Sequence, residues 1–371
     1  MTDNCKEDFL YLTMEEKTML SLRSLYRHTG YASFKMSQFE EYDLYVKNKE
    51  FLIGDSVMTF TDTDGRLLAL KPDVTLSIIK NTKDIKSCTE KLFYDENVYR
   101  ISSGSNSFKE IMQTGLECIG DVSLYDVCEV LYLAIQSLAL IEEDYILDLS
   151  HAGLYSALLK LSGLDNTLRV KAVKAIADKN HDEITALYNN GNISEKTRDI
   201  LLKLTVNYKT VEDLKNSLAE YIYNSEVSMA LDEFESIYAF LSKTASIDKI
   251  RIDFSIVSDT GYYSGIVFKG YIKNIPQSVL SGGRYDKLMR KMGKSSGAVG
   301  FAVYLDMLER HNFVENEFDC DYLLLRNDNS ANDAVINKVI SLSENGKTVR
   351  VVSEIPQGVR YRELVDLREE I

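Results

Sequence analysis

Apolar positions along this chain follow two rhythms, and the places where the rhythm changes outline the architecture. Met19, Leu22, Leu25 and Tyr26 recur at helical spacing within residues 14–28, and Gly30 follows as a C-terminal stop. Residues 31–39 then read as extended. Residues 51–70 read as two strands joined by Asp62-Thr63-Asp64-Gly65, whose turn chemistry marks a hairpin. A second strand pair, 92–101 and 111–119, brackets the polar loop 102–107. A long helical pattern at 122–140 precedes a strand at 145–149 and a helix at 154–161.

From 162 to 245 the texture changes to Lys, Glu, Leu and Ala at helical periods, with breaks at Asn189-Asn190-Gly191-Asn192 and Asn207-Tyr208. Strand patterns return at 249–257, 262–272 and 279–283, and residues 300–310 are expected to form a closing helix. The tail reads as one βαβ unit: a strand at 321–325, a helix at 332–344, Gly346 and a strand at 348–352. Strands in hairpins with helices segregated from them predict an α+β fold on an antiparallel sheet. The expected organisation is a core from 1–161 and 246–316, a helical insertion at 162–245 and a small α/β unit at 317–371.

Composition narrows the chemistry. The 371 residues carry 43 Lys+Arg against 57 Asp+Glu, a net charge of −14. Nucleic-acid binding draws on cationic side chains, so this balance argues against a nucleic-acid partner. The five cysteines form no Cys-x-x-Cys pair, so neither a zinc site nor a disulfide framework is expected. The acidic first residues lack a signal-peptide pattern, and no apolar run suggests a membrane span. A cytoplasmic setting without a membrane partner is the expectation. Asp62…Asp64-Gly65 lacks the acidic positions a calcium loop needs and reads as a turn. Gly293-Lys294-Ser295 has Leu288 where a phosphate loop needs glycine. His28, His181 and His311 share no ligand spacing.

The most informative stretch is Gly282-Gly283-Arg284-Tyr285-Asp286-Lys287-Leu288, followed by Ala298-Val299-Gly300-Phe301-Ala302. It resembles the final sequence block of the histidyl-tRNA synthetase family, whose fold is the class II aminoacyl-tRNA synthetase core. Where that family continues with a glycine and an ATP-facing arginine, this chain has Tyr304 and Met307. Lys91-Leu92-Phe93-Tyr94…Tyr99-Arg100 resembles a class II motif whose arginine, matched by Arg100, grips the substrate carboxylate and α-phosphate. Lys71-Pro72-Asp73-Val74-Thr75 resembles Arg-Pro-Glu-Gly-Thr, a strand that holds the amino group of histidine, and Gln113…Glu117 resembles Gln-x-Gly-x-Glu. Val257-Ser258-Asp259-Thr260-Gly261-Tyr262-Tyr263-Ser264-Gly265 is similar to the histidine signature, with Ser258 in place of its arginine. Gly30-Tyr31…Ser37…Phe39-Glu40 resembles the dimer motif with Ser37 replacing a proline. The resemblance spans roughly residues 8–162 and 246–311.

The substitutions are not scattered. Positions that the resemblance assigns to ATP hold Ser102, Ser107, Ser258 and Met307. Those it assigns to histidine hold Asp73, Thr75, Arg100, Gln113, Glu117, Tyr262, Tyr263 and Tyr285. Charge-assisted hydrogen bonds contribute roughly 1.5–3 kcal/mol each, so losing about three arginine contacts removes roughly 5–9 kcal/mol. That is about four to six orders of magnitude, and adenylation is expected to be absent. The surviving set suits an amino acid: Asp73, Thr75 and Gln113 for its ammonium, Arg100 for its carboxylate, Glu117 and the tyrosines for an imidazole. Tyr262 and Tyr263 would fall on opposite faces of a strand, which leaves one of them open to a core role.

Leu149-Ser150-His151-Ala152-Gly153 resembles a helix start in the synthetase paralogues that serve as regulatory subunits of ATP phosphoribosyltransferase, and His151 is expected to bond the first turn. The tail resembles the first half of an anticodon-binding domain. Membership of that paralogue family implies no catalysis and no cofactor. It implies partnership with the short catalytic subunit of the first step of histidine biosynthesis, L-histidine as effector, and a hetero-octamer containing dimers of the regulatory chain. The alternative it leaves is a working or tRNA-binding synthetase-like protein.

Overall fold

The computed structural model describes residues 12–49, 57–84, 87–101, 107–244, 246–257, 262–309, 317–327, 331–343 and 346–368. The chain divides into two compact units, Thr18–His311 and a second comprising Met1–Lys17 and Asn312–Ile371. Helix α1 (Met14–His28) buries Leu22 and Tyr26, as its periodicity predicts. Strand β1 (Ala32–Ser33) is short, and β2 (Phe39–Glu41) leads into a small helix α2 (Tyr42–Lys47). Strands β3 (Thr59–Thr61) and β4 (Leu67–Leu70) then form the predicted hairpin. At its turn Gly65 takes φ +81°, and one Asp62 oxygen accepts from the amides of Asp64 and Arg66, both at 2.9 Å. The first part of the expected strand pair, residues 51–56, lies outside the described residues. Helix α3 (Thr75–Asn81) follows, so the segment Lys71–Thr75, expected as strand, is instead the connection from β4 into a helix. Pro72 supplies no backbone donor, which suits it to a connection rather than a ladder.

Strands β5 (Thr89–Ile101) and β6 (Phe108–Gly120) pair antiparallel over their whole lengths, from Thr89 opposite Gly120 to Ile101 opposite Phe108. Helix α4 (Leu124–Ile141) opens on a capping box: the Asp126 carboxylate accepts from the Ser123 amide at 2.9 Å while Ser123 Oγ accepts from the Asp126 amide. By length and composition α4 is apolar enough to cross a membrane, a property the sequence reading did not anticipate. Its apolar face is used internally, for Val127, Val130, Leu131, Ala134, Ile135 and Leu138 are all buried in the core. Burying each such Leu, Val or Ile contributes about 1.5–3 kcal/mol.

Strand β7 (Tyr145–His151) runs into α5 (Ala152–Leu161), and helices α6 (Asn166–Ala177), α7 (His181–Asn189) and α8 (Glu195–Lys203) follow. A short strand β8 (Asn207–Tyr208), α9 (Val211–Leu218) and α10 (Ser225–Thr244) complete this helical stretch. Its buried residues, among them Ile176, Leu201 and Phe234, join the same apolar cluster as the main sheet. Strands β9 (Ile250–Asp253), β10 (Ile266–Ile272) and β11 (Leu280–Arg284), helix α11 (Asp286–Lys291), strand β12 (Gly297–Tyr304) and helix α12 (Asp306–Glu309) finish the unit. Two expectations are corrected here. The stretch that begins the expected helix at 300–310 is a strand, because Val299–Val303 pairs on both sides within the sheet. The strand expected from 262 begins only at Ile266, after a turn.

The main sheet has nine strands in the order β1-β5-β6-β12-β11-β10-β7-β9-β8. Its central pairs are antiparallel, with parallel pairs at β1–β5 and β7–β9. This is the α+β fold expected from the sequence. In the second unit β13 (Cys320–Leu325), α13 (Asn332–Ser343) and β14 (Val349–Val352) form a parallel βαβ, and an unanticipated β15 (Tyr361–Asp366) pairs parallel with β13.

Candidate functional site

Alternation along β6 places Gln113, Gly115 and Glu117 on one face of the sheet. The register then sets Glu117 opposite Gly300 of β12 and Gly300 opposite Gly283 of β11. A Cβ at position 300 would lie 1.8 Å from Glu117 Oε2 and 2.4 Å from the Leu116 carbonyl oxygen. Glycine there is what lets the Glu117 side chain lie across the neighbouring strand. At Gly283 a Cβ would meet the Tyr263 ring at 2.7 Å. The low floor left by these glycines carries a cavity of about 340 Å³, within the range of about 300–1,000 Å³ usual for small-molecule sites.

All eight residues singled out from the sequence line this cavity. Asp73 and Thr75 come from the β4–α3 connection. Asp73 Oδ1 accepts from the Leu76 amide at 2.9 Å, which fixes the first turn of α3, and Thr75 Oγ1 donates to Glu117 Oε1 at 2.9 Å. Tyr285, at the start of α11, donates its hydroxyl to Glu117 Oε2 at 2.5 Å. Tyr262 packs edge-on to Tyr263 with ring centroids 4.7 Å apart, and lies 5.9 Å from the Tyr285 ring. The two adjacent tyrosines therefore both reach the cavity; they precede β10, so strand alternation does not part them. Arg100, on β5, donates Nε–H to the Pro72 carbonyl at 3.0 Å. The Gln113 amide nitrogen is buried and has no hydrogen-bond partner among the described residues.

Burial controls the charge state. Glu117 is pushed up to about 8, chiefly by desolvation; its bonds from Tyr285 and Thr75 pull the other way, and the nearby Asp73 raises it further. Desolvation also raises Asp73, against the lowering effect of the Leu76 amide and Arg100. The hydroxyls of Tyr94, Tyr262 and Tyr285 are raised well above their ordinary range, first by burial, and stay protonated. The site thus combines two carboxyl groups of weakened acidity, an arginine and a set of hydroxyls that can donate or accept. Such a set offers hydrogen-bond donors, acceptors and a fixed cation to a small polar molecule.

The sequence reading gave no binding role to Tyr94, Lys269, Ser281 or Tyr304, which share the cavity wall. Tyr94 was reachable by stepping back in twos along β5 from Arg100, and Lys269 by one such step from Val267. Ser281 and Tyr304 join across β11 and β12 in a 2.6 Å hydroxyl contact that only the sheet register reveals. Of the substituted positions, Met307 on α12 packs against the main apolar cluster, while Ser102 and Ser258 lie outside the described residues. His151 Nδ1 accepts from the Leu154 amide at 3.1 Å, the expected helix-start bond, and its Nε2 lies 3.2 Å from Glu233. With Nδ1 accepting, Nε2 carries the proton and donates.

Residues 12–308 match the family model described as histidyl-tRNA synthetase. The chain belongs to the histidyl-tRNA synthetase family. Within that family it is 28% identical over 364 residues to a Clostridium kluyveri protein described as an ATP phosphoribosyltransferase regulatory subunit, covering 94% of this chain and 91% of the relative. Among solved structures it is similar to an ATP phosphoribosyltransferase regulatory subunit/histidyl-tRNA synthetase from Bacillus halodurans, with a TM-score of 0.74 and 22% identity over 95% of this chain and 93% of that one. It also resembles a chain of the ATP phosphoribosyl transferase (HisG:HisZ) complex from Thermotoga maritima, with a TM-score of 0.60 and 23% identity over 78% of this chain and 97% of that one. These structural likenesses establish that the synthetase-type fold is shared.

Proposed function

We propose that this member of the histidyl-tRNA synthetase family is a non-catalytic regulatory subunit of ATP phosphoribosyltransferase, the enzyme of the first step of histidine biosynthesis. The observation that carries the reading is the split between the two halves of the site. Eight residues suited to an amino acid share one cavity, whereas the position the family uses for an ATP-facing cation is Met307, packed among apolar side chains. A thioether neutralises no phosphate. The regulatory-subunit description of the Clostridium relative supports the same reading.

On this reading L-histidine occupies the cavity, with its imidazole toward Glu117 and the tyrosines and its ammonium toward Asp73 and Thr75. The partner is a short-form catalytic subunit, in a cytoplasmic hetero-octamer in which the regulatory chains pair as dimers. Feedback requires that histidine bind one state of that complex better than another, since equal affinity for both shifts nothing. Isothermal titration of the purified chain with L-histidine, with ATP in parallel, tests the reading. Histidine binding without ATP binding is the expected result, and tight ATP binding overturns it. A second reading, a working synthetase, draws on the family match itself. Histidine-dependent exchange of pyrophosphate into ATP by the purified chain would establish that alternative.

A further inference from the structure

Among the described residues two cationic side chains line the cavity, and they are placed differently. Arg100 has its Nε–H on the Pro72 carbonyl and its guanidinium beside Asp73. Lys269 lies on β10, opposite Ser281 on one side and Asp148 on the other. Asp148 and the neighbouring Asp253 are the acidic groups that act on it electrostatically, but each has a cation of its own. Arg251 binds Asp148 through two nitrogens at 2.7 and 3.0 Å, and Lys179 binds Asp253 at 2.6 Å. The Lys269 ammonium has no hydrogen-bond or ion-pair partner among the described residues. Desolvation lowers its affinity for a proton, opposed by those two aspartates.

Gln113 is its counterpart on β6. Its amide nitrogen is a buried donor without a partner among the described residues, and it too lines the cavity. Between the two along the sheet lie Tyr304, opposite Gln113, and Ser281, whose hydroxyls bond one another. A buried donor left unmade is costly, so the Gln113 amide, with the half-buried Lys269 ammonium on the same cavity wall, calls for an acceptor-rich group there.

We propose that Lys269 is the carboxylate-binding residue of this pocket, taking, with the Gln113 amide, the α-carboxylate of an amino-acid ligand whose ammonium faces Asp73 and whose side chain faces Glu117. This rests on the amino-acid reading of the cavity and assigns the anionic end of the ligand, which the sequence had given to Arg100. The ligand carboxylate then faces the lysine, its ammonium faces Asp73, and Glu117 meets the rest of the ligand by hydrogen bonding.

The test is a ligand-and-variant cycle on the full-length chain. L-histidine and histamine, which lacks the carboxylate, are titrated into the wild-type chain and Lys269→Met. Loss of one charge-assisted contact is expected to weaken histidine by about ten- to a hundredfold and to leave histamine unchanged. Unchanged histamine binding also shows that the variant keeps its pocket. If Lys269→Met does not fold, Lys269→Gln, which keeps the length and a polar tip, replaces it with the same expectation. Histidine affinity that is unaltered, or that falls in step with histamine, overturns the assignment of Lys269 while the amino-acid pocket stands. A wild-type chain that binds neither ligand overturns both. Titration with inorganic phosphate distinguishes the source of the anion. Phosphate binding that disappears in Lys269→Met with histidine unaffected would mean that the lysine serves a phosphate group, and the assignment falls.

Discussion

Thr75 and Tyr285 both donate to Glu117, which alone would favour its ionised form, yet desolvation outweighs them and holds the carboxyl up to about 8. The sign of the stability effect follows. An unfolded glutamate loses its proton near pH 4.5, whereas the folded chain keeps the Glu117 proton to about pH 8. Over that interval the folded state binds more protons, so stability falls as pH rises and levels off above it. Glu117→Gln, which cannot ionise, is expected to show a shallower fall in urea midpoint between pH 5 and pH 8.5 than the wild type. Parallel slopes for the two proteins would mean that Glu117 is already ionised at neutral pH. Much of this chemistry could be read at the residue scale, because Gln113 and Glu117 carry their face in their spacing. Lys269 could not, since its significance lies in which carboxylates across the sheet have cations of their own.

Strand β12 shows how an element shapes a site through a side chain it lacks. Gly300 lies where any side chain would occupy the volume of the Glu117 carboxylate and approach the backbone of Leu116. Gly300→Ala is therefore expected to displace Glu117 and to cost about 1–3 kcal/mol, the range for overpacking a closed interior. Urea denaturation reads the stability and histidine titration the pocket; an alanine variant with wild-type values in both would contradict the crowding. Helix α4 offers a separate check, remote from the cavity chemistry. Ser123→Ala removes one half of the capping box and should lower stability by about 1 kcal/mol with ligand affinity unchanged. The elements also show where periodicity misleads. Ala298–Ala302 is a run of small and apolar residues, compatible with a buried helix or a buried strand, and only pairing with β6 and β11 decides for the strand. The helices at 14–28 and 154–161 could be read because each has one buried stripe, and the Asp62–Gly65 turn because its chemistry is local.

At the scale of the whole molecule, the proposed function places ligand recognition and catalysis on different chains. Glu117→Ala is then expected to leave assembly with a short-form catalytic subunit intact and to weaken histidine inhibition of the complex. Gel filtration reads the first and inhibition curves the second; undiminished inhibition counts against the cavity as the effector site. Histidine at a hundred times its dissociation constant should also stabilise the chain by about 2.7 kcal/mol, seen as a raised urea midpoint. The small parallel sheet of the second unit was only half legible. Its βαβ follows the spacing of residues 321–352, but β15 is an exposed, charge-rich strand whose pairing with β13 carries little local signal.

The cavity draws its walls from residues as far apart in the chain as Asp73 and Tyr304, joined through the full-length β5–β6 pairing and the register of β12 on β6. Contacts of such wide sequence separation close late, because each must first overcome the entropy of a long loop. Ligand capture in a refolding chain should therefore lag behind the recovery of helical signal. A chain cut in the middle of the sheet would keep helices and lose recognition altogether, so that bound effector reports a completed polypeptide.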